Sequence, residues 1–425
     1  MAKISSIAVA LVFIYMTDVN LSADAVRALN TTEIVSGNLT TQLLKLTIYL
    51  LAVGMLLTRW KDALKMSVRN FAMWVVLAWA LASMLWSVEP SVTLRTAAGL
   101  LGTALIGLYI ACFHDRADTL RIAGWAFLLL CVASIIAILV LPSRGGSFDA
   151  PGWRGVFASK NALGQISLVA MIMFLCLFAG RDDHGPWLVG LLLAGMLLVG
   201  SRSGTALVAG AFAVVVWGIL FSWTKRAGPV FIVLSVGFLV MVDLGLWLYL
   251  SNNVGAVLGV VGKDPTLTSR TFIWDAVTSL VRQRPWVGYG YGAAWIGTTY
   301  GPGATIANAI EFYPGTAHNG YLDLILQIGI TGAILVCALY LGTVRKWLFA
   351  LRADDRESPY QIWAVVFIVA LLIYNLAEAY MLQENSVAWI LVSALSFWTP
   401  DTTRAQVAER APQLRPGVLS KVDVP

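Results

Sequence analysis

Leu197-Leu198-Val199-Gly200-Ser201-Arg202-Ser203-Gly204-Thr205-Ala206-Leu207-Val208 joins two apolar runs, 187–200 and 203–222, with almost no loop between them. A bilayer core of about 30 Å needs roughly 20 apolar residues per helix. The turn therefore lies at or below a membrane surface, where an arginine is costly and calls for an explanation. The second helix begins near Ser203, so its free backbone N–H groups face the same surface.

Similar runs extend in both directions. Spans are expected at about 4–16, 39–58, 71–86, 94–113, 122–141, 161–180, 187–200, 203–222, 229–250, 318–343, 361–380 and 385–398. Composition agrees: 59% of the 425 residues are hydrophobic and 12% charged, against roughly 25% charged in soluble domains. The fold class expected is all-α, a polytopic membrane bundle of about twelve transmembrane helices with a large outer loop at 251–317. Residues 1–399 form the membrane domain, and the polar tail 400–425 reads as a disordered cytoplasmic segment. Residues 1–25 have features of a signal peptide, but an uncleaved first span is the preferred reading.

The net charge of +6 does not argue for nucleic acid, because Lys and Arg cluster in short loops between apolar runs. Segments around 59–69, 114–121, 181, 225–226, 345–356 and the tail hold most of them, which puts both termini in the cytoplasm. The four cysteines lie within or at the ends of apolar runs, without metal-ligand spacing.

Five segments then map to the outer side. In Trp153-Arg154-Gly155-Val156-Phe157-Ala158-Ser159-Lys160-Asn161, Lys160 opens a helix, where a cation opposes the helix dipole. An anionic ligand or snorkelling to headgroups would each explain it. Arg202 with the N–H groups of the following helix suits a phosphate, unless it pairs with a neighbouring acid. Ser269-Arg270 starts a stretch in which Phe272, Ile273, Ala276, Val277 and Leu280 share one face. That pattern reads as an amphipathic helix lying on the membrane. Arg284-Pro285-Trp286-Val287-Gly288-Tyr289-Gly290-Tyr291-Gly292 offers close backbone approach, with aromatic faces for sugars or for an interfacial belt. Ala317-His318-Asn319-Gly320 carries the one histidine on the outer side, an imidazole able to accept a proton near neutral pH. Lys45, Arg95, Asp243, Asp323 and Glu378 fall in the outer parts of spans, and they suggest either a polar vestibule or packing ion pairs. A Walker motif, an Asp-x-Asp motif, a Gly-x-Ser-x-Gly elbow and an outer His/Asp/Glu cluster are all missing from the sequence.

Together these segments resemble the O-antigen ligase and polysaccharide polymerase superfamily. The residues that carry the resemblance are Trp86-Ser87-Val88-Glu89-Pro90 with Thr93-Leu94-Arg95, Arg154 to Asn161, Ser201-Arg202-Ser203-Gly204, Ser269-Arg270, Pro285 to Gly290 and His318-Asn319. The Trp-Ser-x-x-Pro and Phe-Ala-x-Lys-Asn segments look most like the exopolysaccharide polymerase branch. The resemblance implies a GT-C-like, metal-independent, cofactor-free inverting glycosyltransferase of the bacterial inner membrane, with its active site on the periplasmic side. It implies an undecaprenyl-pyrophosphate-linked glycan donor, a glycan or lipid-linked acceptor, and a chain-length regulator and a flippase as conceivable partners. Arg202, Arg270 and His318 correspond to the catalytic residues. Lys160, Arg154, Asn161, Arg95, Tyr289 and Asn319 are the substrate-binding candidates. Two rivals stay open: a ligase transferring finished glycan to lipid A-core, and a polysaccharide or lipid transporter.

Overall fold

The computed structural model describes residues 2–17, 39–141, 152–180, 184–226, 270–296, 300–351 and 358–399. The expected span at 229–250, Asp243, the Ser269 cap and the tail lie outside the described residues, as do large parts of both outer loops. Fourteen α-helices follow in chain order: α1 (Ala2–Tyr15), α2 (Leu39–Thr58), α3 (Trp60–Arg69), α4 (Phe71–Ala82), α5 (Pro90–Phe113), α6 (Arg116–Val140), α7 (Lys160–Ala179), α8 (His184–Gly200), α9 (Gly204–Arg226), α10 (Arg270–Val281), α11 (Pro302–Ile310), α12 (Gly320–Ala350), α13 (Ser358–Tyr374) and α14 (Val387–Phe397). Among the described residues there is no strand. The all-helical membrane architecture expected from the sequence is therefore observed.

Each other expected span coincides with a helix, but they are not equal. Six helices (α2, α5, α6, α7, α9 and α12) are long and apolar enough to cross a membrane, and the bent α3–α4 pair makes up to seven. The helices α1, α8, α13 and α14 are apolar but shorter. Buried side chains concentrate in α7, α13 and α14, whereas α2 leaves most of its side chains exposed at the periphery. Small residues let backbones approach, as expected where lipid gives helices no hydrophobic reason to associate. A Cβ on Gly107 of α5 would lie 2.5 Å from Ser393 Cβ of α14, and one on Gly190 of α8 2.8 Å from the Phe174 ring of α7.

Three local expectations are corrected. Residues 60–69, read as loop, form α3, bent 85° from the helix that follows. Trp60, Leu64 and Val68 are exposed at helical spacing, with Lys61, Lys65 and Arg69 between them. The run 318–343 is not one straight span: α12 breaks at Gly329, whose φ of 72° belongs to the left-handed region. The run 361–380 stops being helical at Tyr374. The Asn375 amide donates to Leu371 O at 2.7 Å and accepts from Tyr380 N at 2.7 Å, turning the chain out of the helix.

The break in α12 has a visible cause. Segment 284–292 threads through it: Tyr289 N donates to Leu326 O (2.9 Å), Gly290 N to Gln327 O (2.9 Å) and Ile330 N to Pro285 O (2.8 Å). Carbonyls and N–H groups freed by the break thus find partners, as buried backbone must. A Cβ at Gly329 would meet Trp286 O at 2.1 Å, and one at Gly288 would meet Gln327 O at 2.6 Å. Trp86 Nε1 donates to Val287 O (2.8 Å), and Val88 N to Tyr289 O (3.0 Å). The Trp-Ser-x-x-Pro segment therefore clamps the glycine-rich one against α12.

The bundle has two distinct ends. At one, Arg59 Nη1 donates to Cys112 O (3.2 Å), Asn70 Nδ2 to Phe397 O (3.3 Å) and Trp398 Nε1 to His114 O (3.2 Å). These are segments that the basic-residue pattern assigns to the cytoplasm. At the other end, the segments around 86–90, 152–161, 200–203, 284–292, 317–320 and 375–386 meet.

Candidate active site

Three of the expected site residues, Arg270, His318 and Asn161, meet at a carboxylate. Glu378 follows the Asn375 turn, with a side chain only 6% exposed. Arg270 Nη2 donates to its Oε1 at 2.8 Å, and Asn161 Nδ2 donates to the same oxygen at 3.0 Å. His318 Nδ1 lies 3.3 Å from Oε2. Residues from three other parts of the chain thus share one acid. Arg270 and His318 remain 19% and 31% exposed, so both can reach a ligand.

Local structure aims each side chain. Arg270 is the first residue of α10, and Trp274, one turn on, donates from Nε1 to Ala317 O at 2.9 Å. The same helix face therefore holds the residue before His318 and the acid beside it. His318 itself has φ 47°, an uncommon conformation for a side chain of its size. Asp323 fixes it from below, accepting from Ala317 N (3.0 Å) and Trp295 Nε1 (2.8 Å) as well as from the Gln327 amide. Gly320 N donates to Asn375 O at 2.8 Å, tying the start of α12 to the Glu378 turn.

Asn161 is the second residue of α7, which Ser159 caps by accepting from Ala162 N at 3.1 Å. Lys160 is its first residue and half-buried, and the methylenes of its side chain run alongside Gly152, whose neighbour on the other side is Ser201 O. The start of α7 packs against the Gly200–Gly204 turn: a Cβ at Gly164 would lie 2.8 Å from Ser203 Cβ and 3.0 Å from Ser201 Oγ. Arg202 in that turn has φ 50°, its N–H donates to Val199 O at 3.1 Å, and its exposed guanidinium has no hydrogen bond or ion pair to a described residue. Ser203 Oγ beside it is buried without a hydrogen-bond partner among the described residues. Arg154 lies in the same neighbourhood, as Trp153 N donates to Gly200 O at 2.8 Å.

Other expectations are redistributed. Asn319 caps α12, its Oδ1 accepting from Tyr321 N (3.0 Å) and Leu322 N (3.1 Å). Tyr289 is buried, donating from its hydroxyl to Leu280 O at 3.0 Å, so its ring offers no open face. The apolar face of α10 covers protein rather than lipid: Ile273, Val277 and Leu280 pack with Trp295, Ile306 and Leu326, while Phe272 is exposed. Arg95 stands away from Glu378, near Glu384. Asp323 serves its three neighbours and is not part of an open vestibule. Glu378 was legible as an intramembrane acid, but its role as hub was not. Asn375, which shapes the turn, carried no signal beyond its place in an apolar run. Among the described residues no three His, Cys, Asp or Glu side chains could share a metal ion.

A family model described as O-antigen ligase matches residues 187–337. The match runs from α8 through the long outer loop into α12, and so contains Arg202, Arg270 and His318. The exopolysaccharide production protein ExoQ of Rhizobium meliloti is 28% identical over 324 residues, covering 71% of each chain. A Rickettsia felis protein named as a polysaccharide ligase is 20% identical over 76% of this chain and 79% of its own. The general O-oligosaccharyltransferase of Acinetobacter baylyi is 24% identical over 75% of this chain and 59% of its own. The motif resemblance and these matches agree: the chain is similar to the O-antigen ligase family over residues 187–337 and to an exopolysaccharide production protein over most of its length.

Proposed function

We propose that this protein is an inner-membrane glycosyltransferase that polymerises glycan repeat units at the periplasmic face, taking them from an undecaprenyl pyrophosphate donor. The observation that carries the reading is the single carboxylate, Glu378, binding both the Arg270 guanidinium and the His318 imidazole. The name of one relative, exopolysaccharide production protein, supports chain growth, whereas the names polysaccharide ligase and O-oligosaccharyltransferase support a single transfer such as that to lipid A-core, which is the second reading. Polar side chains gathered at one end of the bundle speak against a transporter, whose substrate site is expected near the midplane.

The chemistry follows from the geometry. Nδ1–H of His318 donates to Glu378, which fixes the tautomer and leaves Nε2 with its lone pair for the acceptor hydroxyl. As the acceptor oxygen attacks the anomeric carbon, its proton passes to Nε2. The bond from that carbon to the pyrophosphate oxygen breaks, and the electron pair leaves with the pyrophosphate. Direct displacement inverts the anomeric configuration. One Arg270 N–H is engaged by Glu378 and the others are open to the leaving phosphate. Arg202, which is exposed, with the N–H groups opening α9, suits the rest of the same anion. These groups stabilise the leaving charge directly, so the transfer needs no metal.

The test is glycan chain growth from labelled donor with Arg202→Ala, Arg270→Ala and His318→Ala at matched protein levels. Loss of about 10²–10³ in rate is expected for each arginine, and about 10²–10⁴ for the histidine. Full activity in all three variants would exclude the assignment. A ladder of products marks a polymerase, and one discrete product a ligase.

A further inference from the structure

The loop between α13 and α14 carries a second acid, Glu384, which packs against Gly99 of α5. It borders a cleft between α2 and α5. In the cleft, the Tyr49 hydroxyl of α2 donates to Asn385 Oδ1 and its ring lies against Gly102 of α5. Gly99 of α5 backs onto the loop: a Cβ there would lie 3.2 Å from Glu384 Cγ and 3.3 Å from Asn385 Nδ2. Asn385 N donates to Thr103 Oγ1 at 3.1 Å, and Asn385 has φ 58°. Glu384 is held from behind by the Tyr291 hydroxyl at 3.2 Å. Burial pushes that hydroxyl well above the phenol range, so it stays a donor.

Two cations face this loop. Lys45 lies one turn before Tyr49 on α2, and Arg95 one turn before Gly99 on α5, so each shares the face that meets the loop. Helical side chains tilt toward the N-terminus, which for both helices is the end bearing Glu378. Arg95 is exposed and Lys45 half-exposed, and neither makes a hydrogen bond or ion pair with a described residue. Both charges act on Glu384. They sit about 10 Å along helices that rise about 1.5 Å per residue, on a periphery formed by the exposed helix α2. Two cations with spare donors and one buried acid leave net positive charge at lipid-headgroup depth.

We propose that the α2–α5 cleft, with Lys45 and Arg95 over Glu384, is a second site for a lipid-borne phosphate, the headgroup of the acceptor lipid. The proposal rests on the transferase reading above and deepens it. A polymerase joins two phosphate-bearing lipids, and the Glu378 cluster supplies groups for one. The loop with Glu378 and Glu384 separates the two sites, so an acceptor anchored in the cleft extends its glycan over that loop toward His318.

The experiment is native mass spectrometry of the full chain in detergent with undecaprenyl pyrophosphate as probe. Wild type binds two equivalents, Lys45→Gln/Arg95→Gln one, and Arg270→Ala one. In the transfer assay, Lys45→Gln/Arg95→Gln raises acceptor KM by about tenfold or more, as expected for lost bonds to a charged group, and leaves donor KM within about twofold. Lys45→Arg/Arg95→Lys restores both readouts. Retention of two lipids by Lys45→Gln/Arg95→Gln overturns the proposal, and so does one lipid on wild type. Equal displacement of the second lipid by phosphatidylglycerol overturns it too, since the cleft would then bind bulk headgroups. Binding of two lipids without glycan growth would defeat the transferase reading and leave the second site standing.

Discussion

The two ends of the bundle handle charge in opposite ways. At the Lys346 end, a lysine ammonium donates to Leu395 O (2.7 Å), Ser396 O (2.7 Å) and Trp398 O (2.8 Å). All three of its donors are used, on the last carbonyls of α14, where a cation also complements the helix dipole. Trp347 Nε1 adds a bond to Leu395 O at 3.1 Å, and the Arg116 guanidinium lies 4.9 Å from the Trp347 ring centre. At the Glu378 end an acid collects Arg270, His318 and Asn161, but Arg270 and His318 keep donor and acceptor capacity unspent, and the Arg202 guanidinium has no partner among the described residues. Lys346 spends all of its donors on the fold, whereas charge that keeps donors in reserve at an accessible position is what a ligand needs.

The largest expected effect comes from removing the hub. Glu378→Ala leaves Arg270 unpaired and the His318 tautomer unfixed in one step. Breaking such a pair by removing one partner costs about 3–5 kcal/mol of stability, and misplacing the arginine and the histidine together lowers labelled-donor transfer by about 10²–10⁴-fold. Glu378→Gln keeps the shape but loses the charge, and it retains more activity than Glu378→Ala if the acid mainly positions its partners. Wild-type rates for Glu378→Ala would reduce the cluster to an incidental ion pair.

The mirror experiment belongs to the other end. Lys346→Met removes charge-assisted bonds worth about 1.5–3 kcal/mol and lowers the thermal midpoint in detergent. Activity per folded molecule is retained. Arg345→Met at the adjacent exposed position stays within about 0.5 kcal/mol. A catalytic defect in Lys346→Met without loss of stability would erase the contrast between the ends.

The sequence made the apolar segments legible because membrane helices repeat a simple requirement of length and composition. It also made Arg270, His318 and Asn161 legible as members of one face, since basic residues on the outer side run against the usual distribution. It could not show the break at Gly329, because the apolar run continues through it. The reason for that break lies in segment 284–292, far away in sequence. Trp60, Leu64 and Val68 did carry a helical period, but the lysines between them made the stretch read as a loop. The face of α10 was nearly right, yet its partner was not: Trp295 and Ile306 cover it, and an amphipathic pattern does not distinguish lipid from protein. The clamp of Trp86 on Val287 was hidden because the two residues lie 201 positions apart and neither segment carries a sign of the other.

The smallest expected effect bears on Asn319, which the resemblance assigns to substrate and the geometry assigns to a helix cap. Its Oδ1 accepts two backbone N–H groups at the start of α12, and loss of such a cap costs about 1 kcal/mol. Asn319→Ala should therefore lower the thermal midpoint slightly and affect transfer only through the neighbouring His318. Asn319→Asp keeps an acceptor for both N–H groups, and the added charge suits a helix N-terminus. If Asn319 is a cap, the aspartate restores stability and activity together. If its amide N–H groups bind the glycan or its phosphate, the aspartate restores stability but raises substrate KM, because a carboxylate replaces a donor beside an anion. The pair of variants thus separates a residue that holds His318 in place from one that touches substrate.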